Sequence, residues 1–276
     1  MKEDKFINFG KAIFERIQHV RATEIAAELA YYFLLSLFPF LIFALTLLPY
    51  LGITTDDILS LVAPYTPDQA MNLIQDNLKT ILDSRKGGLL SFGIIATIWS
   101  ASNAINGIIK ALNQAYEVEE TRHFLVARGL AILLTIGMVV VIVVALLLPV
   151  FGKAIGHFIF SFLGLTETFL VVWEVFRWLI SFSVIAFVLT FIYYMGPNKR
   201  LKFKQVMTGG IFATVGWLLS SYVFSFYVSN FGNYSSTYGS LGGVIILMIW
   251  FYVSAFIIIL GGIINVLIHH KKEKAA

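Results

Sequence analysis

ATEIAAELAYYFLLSLFPFLIFALTLLPYL (residues 22–51) passes from a short segment with two glutamates into an apolar run that continues almost without interruption to Leu51. An α-helix needs about 20 mostly apolar residues to cross the hydrocarbon core of a membrane. Because no water is present there to hydrogen-bond the peptide groups, such a segment must satisfy them internally. The stretch therefore predicts a transmembrane helix with Glu28 near its entrance.

The rest of the chain has the same character. Of its 276 residues, 58% are hydrophobic and 13% are charged, and the mean hydropathy of +0.83 is far from that of a soluble domain. Apolar windows of spanning length occur near 29–51, 88–109, 129–150, 177–195, 206–228 and 241–268. We therefore predict an all-α polytopic membrane protein with six transmembrane helices, formed by a single integral membrane domain over residues 1–276.

Basic residues are divided unevenly between the two sides that six spans define. Fifteen of the twenty lysines and arginines fall on the side of the termini. The five on the opposite side are Lys79, Arg85, Lys86, Lys153 and Arg177. Because cytoplasmic loops are enriched in Lys and Arg, both termini are predicted to be cytoplasmic.

Three further segments are interpreted with this topology. Residues 1–28 contain apolar residues at helical spacing and predict an amphipathic cytoplasmic helix, which either lies on the membrane surface or packs against cytoplasmic loops. The apolar stretch 157–173 is interpreted as an outer interfacial or re-entrant segment, because a seventh span would move the basic loop 196–204 outside. The outer loop 52–87 is predicted to form a helical cap.

The strongest functional pattern lies in the second span, WSASNAINGIIKALNQAYEVEE (residues 99–120). Steps of three and four residues, which place side chains on one helical face, connect Trp99, Asn103, Asn106, Lys110, Asn113 and Glu117. Lipid tolerates such a stripe poorly, so the stripe must face other helices or a wet cavity. Interhelical hydrogen bonding by amides is one interpretation. We favour a cytoplasm-facing cavity, because the stripe runs from mid-membrane to the charged end of the span.

Glu28 is a second functional candidate, one helical turn from both Glu24 and Tyr32. An ionised carboxylate at membrane depth must lie near the interface, be paired or become protonated. Glu28 is therefore either an interfacial residue paired with Arg21 or Arg128, or a proton or cation site at the entrance of a hydrated cleft. Asn265 is the nearest polar residue at the inner end of the last span. The candidate cavity-lining residues are Glu28, Tyr32, Asn103, Asn106, Lys110, Asn113 and Asn265.

Signatures of catalysis and metal binding are lacking in the sequence. It contains no cysteine and no GxxxxGK[ST], HExxH or GxSxG motif. The EVEE run at 117–120 could hold a metal for phosphodiester cleavage, but neighbouring acids at a helix end are usually solvated. We expect no enzyme activity, no catalytic residue, no cofactor, no metal and no nucleic-acid partner.

Three segments together resemble the YihY/virulence factor BrkB family of bacterial inner-membrane proteins. They are AAELAYYFLLSLFPFLIF (26–43), SASNAINGIIKALNQAYEVEETRHFLVARGLAILLT (100–135) and YSSTYGSLGGVIILMIWFYVSAFIIILGGIIN (234–265), and the resemblance covers essentially the whole chain. It implies a six-helix protein of the bacterial plasma membrane. It does not settle the activity: members were once labelled ribonuclease BN, a label generally regarded as mistaken, and transport or lipid export has been suggested.

Three functions remain open at this stage. The first, which we favour, is a transporter or exporter that moves an amphipathic or lipid-like solute through the polar cavity. The second is a non-transporting envelope scaffold that acts through its outer loops. The third, a membrane-tethered ribonuclease, is disfavoured because no positioned base or metal site is evident. Membrane lipids and an unknown solute are the expected partners, and small-residue helix faces also allow a homo-oligomer.

Overall fold

The computed structural model describes residues 2–47, 87–141, 167–231 and 241–273, and the regular secondary structure within these ranges is entirely helical. Seven helices follow one another: α1 (Lys2–Val20), α2 (Ala22–Leu47), α3 (Gly87–Ala115), α4 (Phe124–Val141), α5 (Glu167–Met195), α6 (Phe203–Phe231) and α7 (Gly242–Glu273). All but α1 are long and apolar enough to cross a membrane. The prediction of an all-α protein with six spanning helices is confirmed for these ranges.

Helices α2, α3, α5, α6 and α7 are longer than the apolar windows that predicted them. Helix α3 has 29 residues, which corresponds to about 44 Å, whereas the hydrocarbon core is about 30 Å thick. The described part of helix α5 is Glu167–Met195, so residues 167–173 of the predicted interfacial segment belong to that helix. Residues 157–166, and nearly all of the predicted cap over 52–87, lie outside the described residues.

A single residue, Arg21, separates α1 from α2. Its φ of 54° lies in the left-handed region. Its amide donates to the Gln18 carbonyl at 3.0 Å and its carbonyl accepts from Ile25 at 3.1 Å, so it ends one helix and begins the next. Helix α1 packs against α7, and the Gln114 side chain of α3 donates to the His19 carbonyl at 3.1 Å. The N-terminal helix is therefore in contact with two of the long apolar helices, α7 and α3.

Contacts divide the chain into two compact units, one of residues 1–31 and 102–276 and one of residues 32–101. In the second unit α2 and α3 are in close contact at Gly93 of α3. A Cβ added to this glycine would lie only 2.9 Å from the amide nitrogen of Phe43 in α2. In the first unit α6 packs against both α5 and α7. The fully buried Tyr193 of α5 donates its hydroxyl to the Ile258 carbonyl of α7 at 2.5 Å, so α5 also contacts α7.

Candidate functional site

An open pocket of about 610 Å³ lies at the C-terminal end of α3, within the first unit. Its volume is in the range of small-molecule sites, about 300–1,000 Å³. The pocket is lined by residues of α3, of the α3–α4 segment (residues 116–123) and of α4, namely Asn106, Ile109, Lys110, Asn113, Gln114, Val118, Glu120, Arg122 and Ala127. Six of these nine side chains are polar or charged, and three of the six belong to the predicted stripe.

The pocket wall is formed because the chain reverses direction at Glu117. This residue has a φ of 56°, and the Val118 amide donates to the Asn113 carbonyl at 3.0 Å while the Glu117 amide donates to Gln114 at 3.2 Å. This pair of bonds defines a Schellman motif, which usually has glycine at the left-handed position. The Glu117 carboxylate pairs with Arg16 of α1. The reversal returns Val118 and Glu120 to the side of the last turns of α3.

A charged pair holds the returning segment in place. Arg122 donates through Nε to Oε1 and through Nη2 to Oε2 of Glu120, both at 2.6 Å. The guanidinium also donates to the Gly196 carbonyl at 2.8 Å and the Met195 carbonyl at 3.4 Å. A cation is favourable at this place because the C-terminal end of α5 carries a partial negative charge. The hydrogen bonds from Arg122 lower the pKa of the Glu120 carboxyl, so it remains ionised.

Asn113 connects this segment to the chain that follows α5. Its Nδ2 donates to Oε2 of Glu120 at 2.9 Å, and its Oδ1 accepts from the Asn198 amide at 2.7 Å. The Asn198 side chain donates to the Glu119 carbonyl at 2.8 Å. Asn113 is only 6% exposed, and both the oxygen and the nitrogen of its side-chain amide make hydrogen bonds within the protein. It lines the pocket, but its polar groups are occupied.

Lys110 and Asn106 are the stripe residues whose polar groups stay available. Lys110 is exposed and Asn106 is half-buried, and both line the pocket. Neither side chain has a hydrogen bond or ion pair with any residue that the structure describes. They lie four residues apart, which places them on adjacent turns of one face of α3. The pocket therefore offers a cation and an amide to a ligand.

Two other predicted residues serve packing. Asn265 is fully buried. Its Oδ1 accepts from the Gly209 amide at 2.7 Å and its Nδ2 donates to the Val206 carbonyl at 2.9 Å, so it joins α7 to α6 and is not part of the pocket lining. Asn103 accepts from Nη1 of Arg128 at 2.8 Å, which joins α3 to α4. These contacts are the interhelical hydrogen bonds of the alternative interpretation.

The remaining two candidates, Glu28 and Tyr32, do not line the pocket. Glu28 is exposed, and within the described ranges its carboxylate makes no hydrogen bond or ion pair. Of the two partners considered for it, Arg21 pairs with Glu24 and Arg128 donates to Asn103. Tyr32 is half-buried and belongs to the second unit.

Sequence reasoning did not assign Glu120 and Arg122 to the site. From the sequence, Glu120 is interpreted as part of the EVEE run, which could hold a metal but is more usually solvated, and Arg122 as one of the fifteen basic residues on the side of the termini. The usable signal was their spacing, because a glutamate two residues before an arginine, just after a helix end, can form a local ion pair. The contacts of Arg122 with Met195 and Gly196, more than 70 residues away, left no such signal.

Comparisons with known proteins agree with the resemblance. The sequence profile of the virulence factor BrkB family matches residues 13–276. YfkH of Bacillus subtilis strain 168, whose name calls it ribonuclease-like, is 52% identical over 97% of each chain.

More distant relatives are named as membrane proteins. A UPF0761 membrane protein of Glaesserella parasuis serovar 5 strain SH0165 is 29% identical over 79% of this chain and 74% of its own. The UPF0761 membrane protein IL2447 of Idiomarina loihiensis is 31% identical over 59% of this chain and 55% of its own. No solved structure matches the chain. With six apolar helices of spanning length and a family profile that covers nearly its whole length, this chain belongs to the virulence factor BrkB family of membrane proteins.

Proposed function

We propose that the protein transports or exports an amphipathic or lipid-like solute, which enters through the pocket at the end of α3. The observation that carries this proposal is the lining of that pocket. Lys110 and Asn106 offer polar groups without partners among the described residues, and Ile109, Val118 and Ala127 supply apolar surface beside them. A molecule with a polar head and an apolar body matches both parts of such a lining.

The proposed setting is the bacterial plasma membrane, with both termini and the pocket on the cytoplasmic side. The distribution of basic residues supports this orientation. The pocket lies at the end of α3 that carries Lys110 and precedes Arg122, and both residues belong to the basic majority. A solute that enters there is taken from the cytoplasmic leaflet or the cytoplasm.

The test is a flux assay in vesicles reconstituted with the full-length protein. A fluorescent NBD-labelled phospholipid is the probe, and its arrival in the outer leaflet is followed by quenching with dithionite. Asn106→Leu and Lys110→Leu are expected to abolish flux, because they replace the available polar groups without touching the packing of α3. Lys202→Leu is the matched control, since Lys202 is exposed and is not in the pocket lining. Unchanged flux in the two pocket variants would contradict the proposal.

The scaffold alternative predicts the opposite effects of changing the pocket and changing the outer loops. A scaffold would act through the outer loops, so deletion of 157–166, which leaves α5 intact from Glu167, would remove function. The pocket variants would then leave function unchanged.

We also propose that the protein is not an enzyme, although the name of its Bacillus subtilis relative calls that protein ribonuclease-like. The contacts of the EVEE run support this view: Glu120 is held by Arg122 and Asn113, and Glu117 pairs with Arg16. Carboxylates neutralised by arginine are poor ligands for a catalytic metal. Metal-dependent cleavage of RNA by the purified protein, lost in a Glu117→Gln, Glu120→Gln double variant, would overturn it.

A further inference from the structure

The charges of the pocket do not act equally on a ligand. The lining holds two cations, Lys110 and Arg122, and one carboxylate, Glu120. Arg122 donates its Nε and Nη2 to Glu120, and Nη2 and Nη1 also donate to the Gly196 and Met195 carbonyls at the end of α5. The charge of a guanidinium paired in this way is neutralised, and its hydrogen bonds fix its orientation. The lining therefore has a single net positive charge, and Lys110 carries it.

The surroundings of Lys110 define what this charge can bind. Asn106 lies one turn before it on the same face of α3 and can donate its amide to the same anion. Ile109, Val118 and Ala127 line the same pocket and provide an apolar wall. A second negative charge on the ligand would find no available cation in this lining.

We propose that Lys110 and Asn106 form an anion site for the headgroup of a singly charged amphiphile, such as a phosphodiester lipid, whose apolar part lies against Ile109, Val118 and Ala127. This inference rests on the proposed transport function and names its substrate class. Glu120 acts in this site as a charge filter, which means that it determines the ligand charge that binds best. Because Glu120 neutralises Arg122, only the positive charge of Lys110 remains, and a ligand with one negative charge is preferred. The Arg122 pair thus has two roles, one in holding the α3–α4 segment and one in selecting the headgroup.

The experiment measures equilibrium binding and does not depend on flux. The purified full-length protein in a neutral detergent is titrated with NBD-phosphatidylglycerol, which has one negative charge, and with zwitterionic NBD-phosphatidylcholine. We expect phosphatidylglycerol to bind about tenfold more tightly, as a charge-assisted hydrogen bond provides. Lys110→Gln should remove this preference and Lys110→Arg should keep it. Lys202→Gln, which changes an exposed lysine away from the pocket, should leave it intact.

Two further measurements test whether the ligand needs an apolar part and whether Glu120 determines its preferred charge. Diethyl phosphate carries the same single charge without long chains, and it should compete at least tenfold more weakly than phosphatidylglycerol. Glu120→Gln removes the charge that neutralises Arg122, so this variant should shift preference from phosphatidylglycerol toward phosphatidic acid at pH 8. Equal binding of the two lipids by the natural protein, retained preference in Lys110→Gln, or equal competition by diethyl phosphate would overturn the inference.

Failure of this inference is distinguishable from failure of the proposed function. Flux of phosphatidylcholine equal to that of phosphatidylglycerol would overturn the anion site and leave transport standing. Lysine-dependent binding of phosphatidylglycerol without any flux would overturn transport and support the anion site.

Discussion

Glu117 occupies a backbone position that glycine normally fills. For an L residue the left-handed conformation costs about 1–2 kcal/mol, whereas the pair with Arg16, in which Glu117 is the exposed partner, contributes about 1 kcal/mol. Glu117→Gly removes the strain and the ion pair together, while Glu117→Ala removes only the ion pair. We therefore expect Glu117→Gly to be more stable than Glu117→Ala by about 1 kcal/mol, measured as a higher midpoint of thermal unfolding in detergent.

Glu119 provides the control for this comparison, because it lies in the same segment without a positive φ. There the order should reverse, with Glu119→Gly less stable than Glu119→Ala, since glycine loses more conformational freedom on folding. If Glu117→Gly melted below Glu117→Ala, the left-handed turn would not be a source of strain.

Three asparagines, Asn106, Asn113 and Asn265, show what residue type and spacing can predict. Helical spacing and the cost of polar groups in lipid predict that Asn106 and Asn113 face other helices or a cavity, and both residues line the pocket. The same reasoning could not tell an available amide from an occupied one. Asn113 is occupied by Asn198 and Asn265 by Gly209, partners that are 85 and 56 residues away along the chain. Such partners are fixed by tertiary packing, which a single sequence does not display.

Among the elements, α6 and α7 depend on backbone contact. A Cβ added to Gly209 would overlap the Gly261 carbonyl oxygen and the Asn265 side chain. Because backbone atoms cannot rotate away, Gly209→Ala should force the helices apart and break the Asn265 hydrogen bonds. Overpacking of this kind costs about 1–3 kcal/mol, and the loss of buried hydrogen bonds adds to it. We expect a markedly lower thermal midpoint in detergent and a reduced yield of monodisperse protein.

Gly243→Ala is the matched substitution in α7, since a Cβ there meets no atom within 4 Å. It should leave the thermal midpoint unchanged or raise it slightly, because alanine is the better helix former. Equal midpoints for Gly209→Ala and Gly243→Ala would show that α6 and α7 do not approach each other as closely as described.

The helices themselves were the most predictable part of the protein. Apolar runs of about 20 residues have few alternatives in a membrane, so the apolar windows predict each of the six helices of spanning length that the structure describes. Helix ends were less predictable: α3 continues to Ala115 and α5 includes Glu167, beyond the apolar windows. Hydrogen bonds of the turn at Glu117 end α3, and hydropathy is insensitive to such bonds.

For the molecule as a whole, orientation in the membrane determines which compartment the pocket serves. The pocket and the α5–α6 segment (residues 196–202) both belong to the first unit, and Arg122 connects them by its hydrogen bonds to the Gly196 and Met195 carbonyls. A label on this segment therefore reports the side on which the pocket opens. The positive-inside tendency predicts the cytoplasmic side.

The absence of cysteine from the chain makes this orientation directly measurable, because any introduced cysteine is a unique probe. Lys202→Cys, at an exposed position, should react with a membrane-impermeant maleimide in inside-out vesicles but not in intact spheroplasts. Arg85→Cys, which the charge pattern places on the opposite side, should show the reverse. Reaction of Lys202→Cys in intact spheroplasts would place the pocket on the outer face, and a solute would then enter it from outside the cell.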